Sequence, residues 1–292
     1  MHWYLLLPFA GAIVFPLGSI LLKEGMAHGG GVLRSFFVSN VVLALCFLAL
    51  LPFVDEKPNW SHVGWPIATG AVFFIGQLVV TLAIKVGDVS VQSPLMGLKV
   101  IFVAIISFFI GTDEIGPTLW AAAILSTLAV FLVGGGTLKK TLQHRKTILL
   151  CTIACVFFGF TDAFMGYRNE SFGTTPFLIV MAMALGLFSF TVMPFFSEPL
   201  TTIPRKAWPF LIWGGLAFGA QAVLIAIALG QFGKATEINI VYSTRGLIGV
   251  LMVWTIGHWF GNQEGKTVGR DIMQKRLIGS ALMCVAIVLT LV

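Results

Sequence analysis

Charge is what this chain has least of. Of its 292 residues, 18 are Lys or Arg and 12 are Asp or Glu, together 10%, where soluble domains carry about 25%. That scarcity excludes a soluble globule, because there is too little polar surface to cover one. Cysteine is also sparse, and the four present (Cys46, Cys151, Cys155 and Cys284) all fall inside apolar runs. Cys151 and Cys155 share a helix face, but no histidine lies near them in sequence, so a metal site is not expected. No HExxH pair, no GxSxG elbow and no pair of intramembrane aspartates occurs, which argues against an enzyme, and no cofactor is expected. The net charge of +6 is spread singly between apolar runs, a pattern that suits anionic lipid rather than nucleic acid.

What the chain has in abundance is apolar sequence, 58% of its residues. Runs of roughly 20 residues recur along its whole length, enough to cross a hydrocarbon layer. The expected fold is an all-α polytopic membrane protein with ten transmembrane helices, near residues 4–22, 33–54, 65–86, 91–110, 117–134, 147–167, 175–197, 206–229, 236–260 and 273–292. The N-terminus lacks the basic region of a cleavable signal, so the first helix is expected to remain.

The chain repeats itself. "WPIATGAVFFIGQ" from Trp65 lies over "WPFLIWGGLAFGAQ" from Trp208, and "LLPF" at 50–53 lies over "VMPF" at 192–195. "GDVSVQSPLMGLKV" from Gly87 lies over "GKATEINIVYSTRG" from Gly233. These matches divide the chain into residues 1–138 and 139–292, two repeats of five helices. Two copies with an odd number of crossings enter the membrane in opposite senses, the inverted-repeat arrangement of many secondary transporters.

Ten helices in two five-helix halves resemble the drug/metabolite transporter superfamily, specifically its EamA-type members. That resemblance implies a transporter of small metabolites with a cavity lined by the first four helices of each half. The superfamily often carries Pro within the fourth helix and an acid near its end; here Pro94 comes early and Glu114 follows that helix. The partners implied are a small-molecule substrate, the lipid bilayer and a coupling ion such as a proton, with no nucleic acid, in a monomer or homodimer. The setting implied is a bacterial inner (plasma) membrane. Thirteen basic residues fall on odd-numbered links and three on even ones. By the positive-inside tendency the odd links face the cytoplasm and both termini face out, whereas the resemblance implies both termini in the cytoplasm.

The two remaining basic residues, Lys99 and Arg245, sit inside the fourth and ninth helices, 146 residues apart, at matching repeat positions. A charge at mid-membrane costs roughly 2.5–3.5 kcal/mol on insertion scales, so two at symmetric positions point to an anion site. The competing reading is neutralisation within the protein, but Asp162 is the one acid deep in a helix and cannot answer both. Asp162 is a candidate proton carrier or a fixed partner of either cation. Gln77 and Gln221, also repeat mates, are expected to hydrogen-bond a substrate or neighbouring helices. Tyr242, Ser243, Asn40 and Asn239 complete the candidate substrate-binding set. The function expected is secondary transport of a small organic anion or carboxylate-bearing metabolite such as an amino acid. The alternatives are a flippase for an anionic lipid and an exporter of amines or drugs that uses Asp162.

Overall fold

The structure is a computed structural model that describes residues 3–110, 121, 124–125, 128–130, 132–135, 137–232 and 235–289. All regular structure among them is helical. The main elements are α1 (Leu6–Gly25), α2 (Val32–Phe47), α3 (Gly64–Val86), α4 (Val89–Leu95), α5 (Lys99–Ile110), α6 (Arg145–Phe172), α7 (Thr174–Ser189), α8 (Trp208–Phe232), α9 (Ala235–Ser243), α10 (Arg245–Thr255) and α11 (Arg270–Leu289). With their continuations, seven helices are long and apolar enough to cross a membrane: Leu6–Gly30, Val32–Phe53, Trp60–Val86, Val89–Ile110, Arg145–Phe172, Thr174–Phe195 and Trp208–Phe232. Leu187, Phe195, Trp213 and Trp259 on the outer surface are 63–73% exposed, as lipid-facing side chains are and as soluble surfaces seldom allow in such number.

The other three expected helices differ in instructive ways. Half of the one at 117–134 lies outside the described residues, as does Glu114. The one at 236–260 is two pieces, α9 and α10, separated at Thr244. The last, α11, begins earlier than expected, and four of its first seven residues are charged.

Close packing follows the small residues. Against α1, the backbone of α8 comes so near that a Cβ on Gly214 would lie 3.2 Å from the Leu22 nitrogen. In the same way α3 lies on α6, where a Cβ on Gly76 would meet the Phe158 ring at 2.8 Å. The first helix of each expected half thus packs on the third helix of the other half. At the centre α4 crosses α10, and a Cβ on Gly246 would stand 2.8 Å from the Pro94 Cα. Glycine at 246 is what lets these two interrupted helices touch.

The links gather at two ends. At one, Lys23 bonds to Glu264 and to the Gly87 carbonyl, Arg34 to Glu198, and Arg276 to Asp88 and His144. Those residues come from the first, third, fifth, seventh and ninth links. At the other end the second and sixth links meet: Asn59 donates to the Phe172 carbonyl at 3.0 Å, and the Thr174 amide donates to Glu56 at 2.9 Å.

Candidate functional site: a cationic cavity above an ionic latch

Both inner cations begin a helical segment that follows a tightened turn. Pro94 has no amide hydrogen to continue the ladder, α4 ends at Leu95, and after the turn Met96–Leu98 the helix resumes at Lys99. In the second half α9 ends at Ser243, and α10 opens at Arg245 after Thr244. The Met96 carbonyl, which also accepts from the Lys99 amide, accepts a bond from Arg245 Nη2 at 2.5 Å.

The two cations have different company. Lys99 Nζ donates to Asp162 Oδ2 at 2.6 Å, and both side chains are largely buried. Arg245, only 4% exposed, has no carboxylate partner among the described residues, and its Nε finds no hydrogen-bond acceptor. Its guanidinium lies over the Phe15 ring at 4.7 Å and the Tyr242 ring at 4.1 Å. Lys99 Nζ stands 5.3 Å from the centre of the same Tyr242 ring. Cation–π contact at a desolvated site is worth about 2 kcal/mol, which holds the guanidinium in place without discharging it. Counting Lys99, Asp162 and Arg245 together, the site retains one positive charge.

These groups line a single cavity of about 650 Å³ of atom-free space, including the part open to the outside, within the range of small-molecule sites. Gln77, Gln221 and Tyr242 add polar atoms, and Phe15, Phe47, Phe73, Phe158 and Phe218 add ring surface. Gln221 is held by its neighbours: Tyr242 donates its hydroxyl to Gln221 Oε1, and Gln221 Nε2 donates to the Phe218 carbonyl at 3.1 Å. Asn40, Asn239 and Ser243 are buried but do not line this cavity. Asn40 instead donates to Ser189 at 3.1 Å and ties α2 to α7. The Ser243 carbonyl accepts from the Cys284 thiol at 3.9 Å. The aromatic lining, Phe15 above all, escaped the sequence analysis, because 26 phenylalanines offer no signal by which to choose.

The cavity is not centred. Counted along the membrane-crossing segments, and along α9 and α10 together, its lining residues stop at least nine residues short of the end where the odd-numbered links gather, as Gln77 does relative to Val86. Nine residues of helix span about 13 Å. Toward the other end the lining reaches Phe47, the last residue of α2, and Ala226, six residues from the end of α8.

The thick end is sealed by a buried polar cluster. Glu264 Oε1 accepts from Lys23 Nζ at 2.8 Å, from the Val89 amide at 2.8 Å and from Asn262 at 3.2 Å. Its Oε2 accepts from the Ser90 amide at 3.2 Å and the Ser90 hydroxyl at 3.1 Å. A carboxylate placed on the first amides of α4 is a favourable charge at a helix N-terminus. Beside it Arg276, 2% exposed, donates to Asp88 at 2.7 Å and to the Ser90 hydroxyl at 2.5 Å. Every one of these bonds joins residues of the first half to residues of the second, save that from Asn262.

His144 sits at the margin of this cluster, its Nε2 3.4 Å from Arg276 Nη2. Burial first, and the Arg276 charge second, push its pKa below the ordinary 6.5. The folded chain therefore favours neutral His144, and the unfolded chain binds the proton more readily. The stability this neutrality contributes is complete above pH 6.5 and declines as pH falls below it. His144→Gln should flatten that acid-side decline in a thermal-unfolding series from pH 5 to 8. An unchanged slope would mean that His144 does not report on the cluster.

Among the described residues no group of three His, Cys, Asp or Glu could hold a metal ion. Residues 2–135 match the EamA-like transporter family. No curated protein matches the chain. A solved crystal structure is similar over 97% of this chain and 94% of its own, with a TM-score of 0.65 at 13% identity. The likeness of fold therefore runs through both halves, including residues that the family match does not reach.

Proposed function

We propose that the chain is a membrane transporter, a reading supported by the match of residues 2–135 to the EamA-like transporter family, and that its cargo is a small organic anion, a carboxylate-bearing metabolite. The observation that carries this reading is Arg245, buried in the cavity wall with no carboxylate among the described residues to answer it. An uncompensated charge in an apolar interior is costly unless something pairs with it. Lys99 is already matched by Asp162, so the cavity's remaining charge suits one anionic group. Phe73, Phe158 and Phe218 would cover the apolar body of the cargo, and Gln77 would bond its polar edge.

The transport cycle we propose is alternating access between two inverted five-helix repeats, residues 1–138 and 139–292. In this conformation the thick, latched end is closed, and the cavity reaches toward the end formed by the even-numbered links. With basic residues concentrated on the odd links, the positive-inside tendency makes the latched end cytoplasmic and the present conformation outward-facing, in a cell membrane such as the bacterial inner membrane. The packing of each half's first helix on the other half's third supports paired halves that rock against each other.

An amine exporter built on Asp162 fits less well. A cationic amine approaching that carboxylate would displace Lys99 and leave two cations facing a third. Thermal stabilisation of the purified protein decides between these readings. Organic acids, amino acids, phosphorylated metabolites, amines and sugars are compared at equal concentration. A ligand at 100 times its dissociation constant stabilises by about 2.7 kcal/mol, and shifts confined to carboxylate-bearing compounds are expected. Shifts confined to amines would make Asp162 the site and overturn the anion reading.

A further inference from the structure

We infer that the cavity binds its anion together with a proton on Asp162, so that proton and anion are carried in the same direction. The inference rests on the anion reading above and adds the sign of the coupling. Its basis is the arrangement of three charges in one cavity wall. Asp162 Oδ2 lies 2.6 Å from Lys99 Nζ, and Lys99 and Arg245 face the same Tyr242 ring at 5.3 and 4.1 Å from its centre. An anion held by Arg245 therefore sits beside Lys99 and close to Asp162.

The groups facing Asp162 around the cavity are Lys99 from α5, Arg245 from α10 and Tyr242 from α9, while α3 and α8 contribute the neutral amides of Gln77 and Gln221. In the empty cavity Asp162 is paired with Lys99 at 2.6 Å, in the same wall as Arg245. A bound anion adds negative charge to the same space and competes for the same cations. Like charges in one site disfavour each other, so the anion favours the protonated carboxyl. Once Asp162 is neutral it releases Lys99 Nζ, which turns to the anion and gives it a second cationic contact. Each event strengthens the other, and binding linkage is reciprocal. The loaded cavity then holds two cations, one anion and a neutral carboxyl, and the empty one two cations and one carboxylate. The net charge that must cross is the same in both, which suits a carrier that rocks between states loaded and empty. An exchanger of anion for proton would need the opposite coupling, with the anion expelling the proton, and no group in the cavity supplies it.

The test uses purified protein in detergent with benzoate, pyruvate and glutarate as probes, each adjusted to the pH of a weakly buffered sample containing an indicator dye. Binding of a probe is expected to take up protons, and its dissociation constant to fall as pH is lowered from 8 to 6. Asp162→Asn, which cannot ionise, should bind without uptake and with an affinity independent of pH. Proton release on binding, binding by the wild type without uptake, or uptake that persists in Asp162→Asn each overturns the coupling while leaving the anion site standing. Failure of all three probes to bind at any pH instead overturns the anion site. If Asp162→Asn does not fold, the sign of proton movement in the wild type still decides.

Discussion

Replacing Arg245 by Gln is expected to abolish anion binding while leaving the empty protein as stable as the wild type or more so. Glutamine is shorter but can keep a hydrogen bond toward the Met96 carbonyl that Arg245 now holds. Binding loses a desolvated, charge-assisted partner, a change that costs about 2–5 kcal/mol, or about 30-fold to several thousand-fold in dissociation constant. Stability moves the other way, because an unanswered cation at mid-membrane depth is itself a burden of roughly 2.5–3.5 kcal/mol on insertion scales. Only the cation–π contacts with Phe15 and Tyr242 are given up in exchange.

Lys99 makes the informative contrast. Lys99→Met would strand Asp162 as an unpaired buried carboxylate, a change that typically destabilises by about 3–5 kcal/mol. Thermal unfolding of the two variants without ligand is therefore expected to shift in opposite directions. Ligand shifts should vanish in Arg245→Gln. A large drop in unfolding temperature for Arg245→Gln would mean that the guanidinium is there to hold helices together, and the anion site would lose its chief support.

The parts of this site that were legible in the sequence are those where membrane physics makes a residue expensive. Lys99 and Arg245 stood out because a mid-helix charge has no cheap explanation, and their matching repeat positions singled them out from the other 16 basic residues. One acid against two cations also implied that one cation would remain free. Which one remained free was not legible, since the choice depends on α6 lying against α5, where a Cβ on Gly159 would come 3.2 Å from Phe102. Asn40 looked like Gln77 in sequence, a lone amide in an apolar helix; only the position of Ser189 on α7 distinguishes glue from cavity wall.

The break in the ninth helix was hidden for a different reason. Thr244 is an ordinary residue in an apolar run, with neither Pro nor Gly at its own position to announce a turn. The latch was least visible of all. Glu264 and Arg276 read as link residues, and link charges are ordinarily solvated and used only to count orientation. Their burial arises because links remote in sequence converge: Glu264 and Val89 are 175 residues apart, and no local pattern records that meeting.

Glu264→Gln is expected to unlatch the closed end. The carboxylate accepts from five donors in all, three at Oε1 and two at Oε2. A glutamine amide has nearly the same shape, but its NH2 group must replace one of those oxygens and so faces donors with a donor. It also leaves Lys23 without its counter-charge, since the other bond that Lys23 makes is to the neutral Gly87 carbonyl. Breaking a buried ionic contact from one side costs about 3–5 kcal/mol. That cost falls on the conformation in which the two halves meet at this end, because four of the five bonds that Glu264 accepts join one half to the other. A conformation open at this end escapes the cost, so the equilibrium between them shifts by about 100-fold or more. Ser19, four residues before Lys23 on α1 and fully buried, lies beneath the latch. With Cys46, Cys151, Cys155 and Cys284 replaced by alanine, Ser19→Cys should react slowly with a membrane-impermeant maleimide in the otherwise wild-type protein. Adding Glu264→Gln should raise that rate by at least about tenfold, measured from the face that carries the odd-numbered links. Adding the anionic ligand that stabilises the wild type should still raise the unfolding temperature of the variant, because the cavity lies about 13 Å from the latch by the helical rise. A slow, unchanged labelling rate accompanied by a lower unfolding temperature would assign Glu264 to holding α4 in place and not to gating.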